Sequence, residues 1–109
     1  MGADVHGNKP RSEVGDYFRA NIFQWFPLAR FIKKVAPEIA MMCEAGQGWF
    51  FNNGYGIDDS AAIKLADILD AEIAAGRASL FDCHGDPLGD DFVPAFVAFL
   101  RDCGGFSIR

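Results

Sequence analysis

Apolar residues recur at helical spacing in four places along the chain. From Pro27 to Val35, Leu28, Phe31, Ile32 and Val35 form one stripe, with Arg30, Lys33 and Lys34 opposite. Three or four residues between apolar positions is the signature of an amphipathic helix. Pro37 interrupts this pattern, and 38–45 predicts a second short helix that turns Ile39, Met42 and Cys43 inward before Gly46 and Gly48 end it. The clearest helix starts at Asp58 or Asp59 and runs to about Ala75. It buries Ala62, Leu65, Ala66, Leu69 and Ile73 and stops at Gly76, a residue suited to a left-handed C′ position. A last helix, about 91–103, carries Phe92, Phe96, Phe99, Leu100 and Cys103 inward and is capped by Asp90 or Asp91.

Between the second and third helices lies Gly48-Trp49-Phe50-Phe51-Asn52-Asn53-Gly54-Tyr55-Gly56-Ile57-Asp58-Asp59, the central joint of the chain. Asn53-Gly54 favours a turn with positive φ, and Ile57 is placed to staple the next helix. Upstream, 17–26 is dense in aromatics without clean alternation, and Asn21 with Gln24 has the spacing of a capping box. Residues 1–14 are polar and aperiodic, which predicts a disordered lead-in followed by a single globular helical domain over 15–109. The expected fold is mainly α: three to four helices around an aromatic core. At most a short two-stranded β element joins 49–51 to 106–108.

Composition adds limits. The chain has 109 residues, enough for one core and one domain. Half of its residues are hydrophobic, which excludes disorder throughout. Ten of the fifteen aromatics fall between Tyr17 and Tyr55. The net charge of −5 is uneven: through Ala36 six basic residues face three acidic ones, and from Pro37 onward four face twelve. An acidic whole argues against nucleic acid, whose phosphates demand a basic footprint. The asymmetry suits solvated helix faces, or a positive face docking on a negative one within the chain or in a homodimer. Cys43, Cys83 and Cys103 are odd in number, widely spaced and without a CxxC pair, which fits a reducing cytoplasm better than secretion. No apolar h-region opens the chain and no run reaches the roughly 20 residues of a membrane helix, so neither a signal peptide nor a membrane span is expected.

Candidate chemistry is thin. Asp82, His84 and Asp86 alternate in a Gly- and Pro-broken loop, a weak carboxylate–His metal candidate. An EF-hand starting at Asp82 needs Gly at position six and Glu at twelve, where Pro87 and Val93 stand. A register with Gly56 at position six starts on Phe51 and ends on Ala62, without the required carboxylates. Neither GxGxxG nor GxxxxGK[ST] occurs, so no cofactor is called. Cys83 and His84 are chain neighbours, which rarely face each other, and Ser60 and Ser79 have no visible base; no catalytic residue is assigned. What remains is the aromatic block. Trp, Tyr and Arg are the residue types that carry binding hot spots. The candidates for an interaction surface are therefore Trp25, Arg30, Trp49, Asn52, Asn53 and Tyr55. They point to a small non-enzymatic interaction or regulatory module with a protein partner or a second copy. The alternative is a small-ligand or metal-dependent protein using the acidic loop.

One string resembles a known signature. Phe18, Asn21, Trp25, Pro27 and Leu28 match a family of small uncharacterised bacterial proteins. There a Phe-Arg-x-Asn segment leads through tryptophans to Arg-Pro-Leu, and an Asn-x-Gly turn follows, here Asn52-x-Gly54 or Asn53-Gly54. Phe23, Gln24 and Phe26 depart from it, standing where the family tends to carry Trp, Trp and Arg. The likeness spans roughly 18–76. It implies that the aromatic segment and the Asn-Gly turn form one structural unit, and it implies no activity.

Overall fold

The computed structural model of the chain describes every residue except Met1, Ala45, Gly46, Phe51, Cys83 and Asp90. Ala3 and Val5, two small apolar residues in the expected lead-in, are buried on strand β1 (Gly2–Gly7), while Asp4 and His6 alternate onto the other face. β1 pairs antiparallel with β2 (Tyr17–Asn21) on one side and β4 (Gly105–Ile108) on the other, and β4 pairs with β3 (Tyr55–Asp58). The sheet order is β2-β1-β4-β3. Four helices complete the described fold: α1 (Ile22–Val35), α2 (Pro37–Met41), α3 (Asp59–Ala74) and α4 (Phe92–Asp102). This is an α+β fold with a four-stranded antiparallel sheet. The mainly α expectation is therefore overturned, and so is the limit of one short strand pair. The C-terminal strand does form, but its neighbours are β1 and β3 rather than 49–51, where Gly48–Phe50 is a turn of 3-10 helix.

The register explains which side chains the sheet buries. Val5 faces Phe18 and Ile108, and Ile57 faces Phe106, so one face presents an apolar surface to the helices. The opposite face is polar: Tyr17 lies 5.0 Å from the His6 ring and donates its hydroxyl to Asp4, whose carboxylate is 3.8 Å from Arg19.

The helices start where local chemistry directs. Asn21 accepts from the Gln24 backbone N–H at 2.9 Å while the Gln24 side chain accepts from the Asn21 N–H, a complete capping box. It opens the whole of α1 at Ile22, so Pro27 sits inside the helix and leaves the Phe23 carbonyl without its helical donor. Asp58 caps α3 by accepting from Ala61 N–H at 2.8 Å, and Gly76 follows the helix at φ +73°. Asp91 stands at the N-cap position of α4, but its side chain makes no cap hydrogen bond; Asp90 lies outside the described residues.

Trp25, Leu28, Ala29 and Ile32 of α1 meet Ala61, Ala62, Leu65, Ala66 and Leu69 of α3 and the phenylalanines of α4 in one core. The alanines of α3 allow α4 to pack closely along it. Trp25 and Trp49 are 2% and 0% exposed, with ring centroids 5.9 Å apart, and Phe96 meets Trp25 edge-on. Both indoles are satisfied: Trp25 Nε1 donates to the Trp49 carbonyl, and Trp49 Nε1 donates to the Ala40 carbonyl at 2.9 Å. Cys43 and Cys103 are free and buried, and burial pushes both thiols up to about 11.

The segment after β1 has a definite job. The N–H groups of Lys9 and Arg11 donate to the carbonyls of Cys103 and Asp102, at 3.0 and 2.7 Å, and Ser12 Oγ donates to the Asp102 carboxylate at 2.6 Å. Arg11 reaches on to Asp59 at 2.7 Å and to the Arg101 carbonyl at 3.2 Å. These donors satisfy carbonyls that the end of a helix otherwise leaves without partners. The expected disordered lead-in is a central strand followed by a strap over α4.

Candidate functional site

The six residues proposed from sequence as an interaction surface do not share one. Trp25 and Trp49 are core. Their aromatic area is spent on Phe96, Phe106 and each other, which removes them from any contact surface. Arg30 is exposed on α1 and lines a small cavity of about 150 Å³ with Ile22, Phe23, Phe26 and Pro27. Asn52 and Asn53 are exposed in the turn before β3, where Asn52 Oδ1 accepts from Asp4 N–H at 3.4 Å. Gly54, at φ +88°, donates its N–H to the Ile108 carbonyl at 2.7 Å. The Asn-Gly turn thus delivers the chain into β3. Tyr55 is partly exposed and packs closely over Gly48, where an added Cβ would come within 2.6 Å of the Tyr55 Cβ.

The acidic loop is a turn held by its own first residue. Asp82 Oδ1 accepts from the N–H groups of His84, at 2.8 Å, and Asp86, at 3.0 Å, while Asp82 N–H donates to the Asp86 carbonyl. The Leu88 N–H closes back on the Leu80 carbonyl at 3.1 Å, and the His84 ring lies 5.7 Å from Phe23. Asp82 is committed to backbone donors, and among the described residues no group of three His, Cys, Asp or Glu side chains is placed to hold a metal ion. Cys83 falls outside the described residues.

Those donors, above all the Asp86 N–H, hold the Asp82 carboxyl below its ordinary pKa of 3.8. The loop stabilisation is therefore complete above about pH 4 and is lost as pH falls through the lowered folded value. In an NMR titration the His84 and Asp86 amide shifts should hold steady from neutral pH to about pH 4 and then move at a midpoint below 3.8. A midpoint above that value would refute the assignment. Asp82→Ala should release both amides to exchange at neutral pH.

A further concavity lies between α2 and α3. Val35, Ala36, Pro37, Ile39, Met42 and Ile68 give it an apolar lining, Glu38, Lys64 and Asp67 edge it, and its volume is about 490 Å³. That size and character are typical of a ligand or partner site. Of its lining residues Met42 stands out in solvent, 61% exposed, and Met41 and Ile63, the chain neighbours of the lining residues Met42 and Lys64, are 54% and 37% exposed. The helical pattern over 38–45 placed Met42 inward, but α2 ends at Met41 and Met42 turns out. Met42 also lines a more open hollow of about 740 Å³ with Gly54, Gly56, Ile57, Asp58 and Ser107 beside β3, so it stands between two hollows. The sequence signal that could have found this face is the pair Ile63 and Ile68. Both are apolar residues on α3 outside the Ala62-Leu65-Ala66-Leu69 stripe.

Electrostatics at the rim are mixed. Arg101 holds Asp67 at 3.0 Å and Asp70 at 2.9 Å. Glu38 and Lys64 have no ion-pair partner among the described residues, although both edge the same groove. No described helix is long and apolar enough to cross a membrane. No protein-family model, curated protein or solved structure matches the chain.

Proposed function

We propose that this chain is a small non-enzymatic protein-interaction module of the cytoplasm that docks a protein partner on the α2–α3 groove around Met42. The observation that carries the reading is the exposure of Met42 in the lining of an apolar groove of about 490 Å³, with exposed Met41 and Ile63 next in the chain to the lining residues Met42 and Lys64. Large apolar side chains are costly to leave in water, and clustered ones mark contact sites. Methionine suits such a site because its unbranched, polarisable side chain adapts to the surface it meets. The tryptophans are core, and the large apolar side chain left in solvent at the groove is Met42. Free buried thiols at Cys43 and Cys103 support a reducing compartment. A net charge of −5 disfavours nucleic acid as the partner.

Site-resolved photo-crosslinking tests this. A benzophenone side chain placed at Met42 or Ile63 should give discrete protein adducts in host cells. The same group at Arg19, exposed on β2 at the far edge of the sheet from β3, should not. Equal adducts at all three positions, or none at Met42 and Ile63, would reject the reading.

A further inference from the structure

We propose that the occupant of the groove is a second copy of this chain, related by a two-fold axis, with Met42 of each copy seated in the other's α2–α3 groove. This rests on the interaction reading above and names its partner. A two-fold interface is self-complementary, so one surface must carry both the projecting and the receiving part. Here both are present within a few residues. Met42, 61% exposed, stands in solvent at the groove, and Val35, Ile39 and Ile68 line the same hollow.

Charge points the same way. Glu38 and Lys64 edge one groove with opposite signs, and each lacks an ion-pair partner among the described residues, whereas Asp67 is already taken by Arg101. A partner surface dominated by one sign would attract one of the pair and repel the other. A two-fold copy instead sets Lys64 of each chain against Glu38 of the other, and both charges are answered twice. Such complementarity fixes register and rejects other arrangements. The remaining apolar contact comes from Met42, which is already in solvent, so burying it disturbs no core packing.

The test is the mass of the purified full chain by light scattering and sedimentation from micromolar to about 0.5 mM. A dimer is expected. Met42→Glu should weaken it at least about tenfold, because it places a charge in the partner's apolar groove. Lys64→Glu and Glu38→Lys should each weaken it about tenfold through like charges across the axis. The double exchange, Lys64→Glu with Glu38→Lys, should return it to within about threefold of the parent. All of these positions are exposed, and thermal melts close to the parent's establish that each variant is folded. A dimer indifferent to Met42→Glu, or a double exchange no better than its single components, overturns the proposal. A monomer throughout also overturns it. If Met42 then crosslinks a different protein, the interaction reading stands without the second copy; if it crosslinks nothing, both fall.

Discussion

Replacing Trp49 with alanine should cost about 4 kcal/mol or more and leave much of the chain unfolded in water. Truncating a buried Trp costs about 3–5 kcal/mol through lost transfer energy and the cavity left behind. Here the loss is compounded, because Trp49 Nε1 is the donor to the Ala40 carbonyl, and a buried acceptor left alone costs a further 1–3 kcal/mol or so. Domains of this size have only about 5–15 kcal/mol in total. Trp49→Phe separates the two contributions: it keeps a ring beside Trp25 and Phe106 but removes the donor, and should cost about 1–3 kcal/mol. Urea unfolding followed by the fluorescence of Trp25, the remaining tryptophan, measures both. An alanine variant within about 0.5 kcal/mol of the parent would show that the indole pair is not the packed centre of the core.

Gly15→Ala should be nearly as damaging, by a different route. A Cβ on Gly15 would lie 2.0 Å from the Asp102 carbonyl oxygen and 2.8 Å from the Cys103 nitrogen. Gly7 is equally confined, its added Cβ falling 1.9 Å from the Gly15 oxygen. Two backbone segments therefore touch at the end of α4, and no side-chain rotation relieves the clash. Overpacking alone costs about 1–3 kcal/mol. Lifting the strap also breaks the donations from Lys9 and Arg11 to the α4 carbonyls, so a total of about 3 kcal/mol or more is expected. Glu13→Ala, an exposed change two residues away, should stay within about 0.5 kcal/mol of the parent. Denaturant melts together with amide exchange at Lys9 and Arg11 decide the matter. If Gly15→Ala matches Glu13→Ala in both, the close approach does not hold the strap.

What could be read in the sequence was whatever is decided locally. The Asn21–Gln24 capping box, the Asp58 cap, the α3 stripe and the Gly76 stop each depend on residues within about one or two helical turns, and all of them are visible as spacing. The sheet escaped because its information is not local. β1 offers only Ala3 and Val5 as apolar alternation, β3 only Tyr55 and Ile57, and Val5 finds its partner at Ile108. Strand pairing at such separation leaves no short-range trace. The site was misplaced for a related reason. Core packing and binding hot spots recruit the same aromatic side chains, so Trp25 and Trp49 carry no mark of which they serve. A helical period carried through 42 turns Met42 inward, but α2 stops one residue before it.

The pairing of β1 with β4 also sets an order of events during synthesis. β4 bonds to β1 on one side and β3 on the other, so until it emerges the sheet exists only as a β1–β2 hairpin and a lone β3. At a ribosomal pace of roughly 5–20 residues per second, β1 waits about 5–20 seconds for Ile108 to be made. Until then the β1 edge that meets β4 stays unpaired, and Val5 and, once made, Ile57 lack their neighbours Ile108 and Phe106. A chain stopped short of β4 therefore presents an open β1 edge, the kind that invites pairing with another chain.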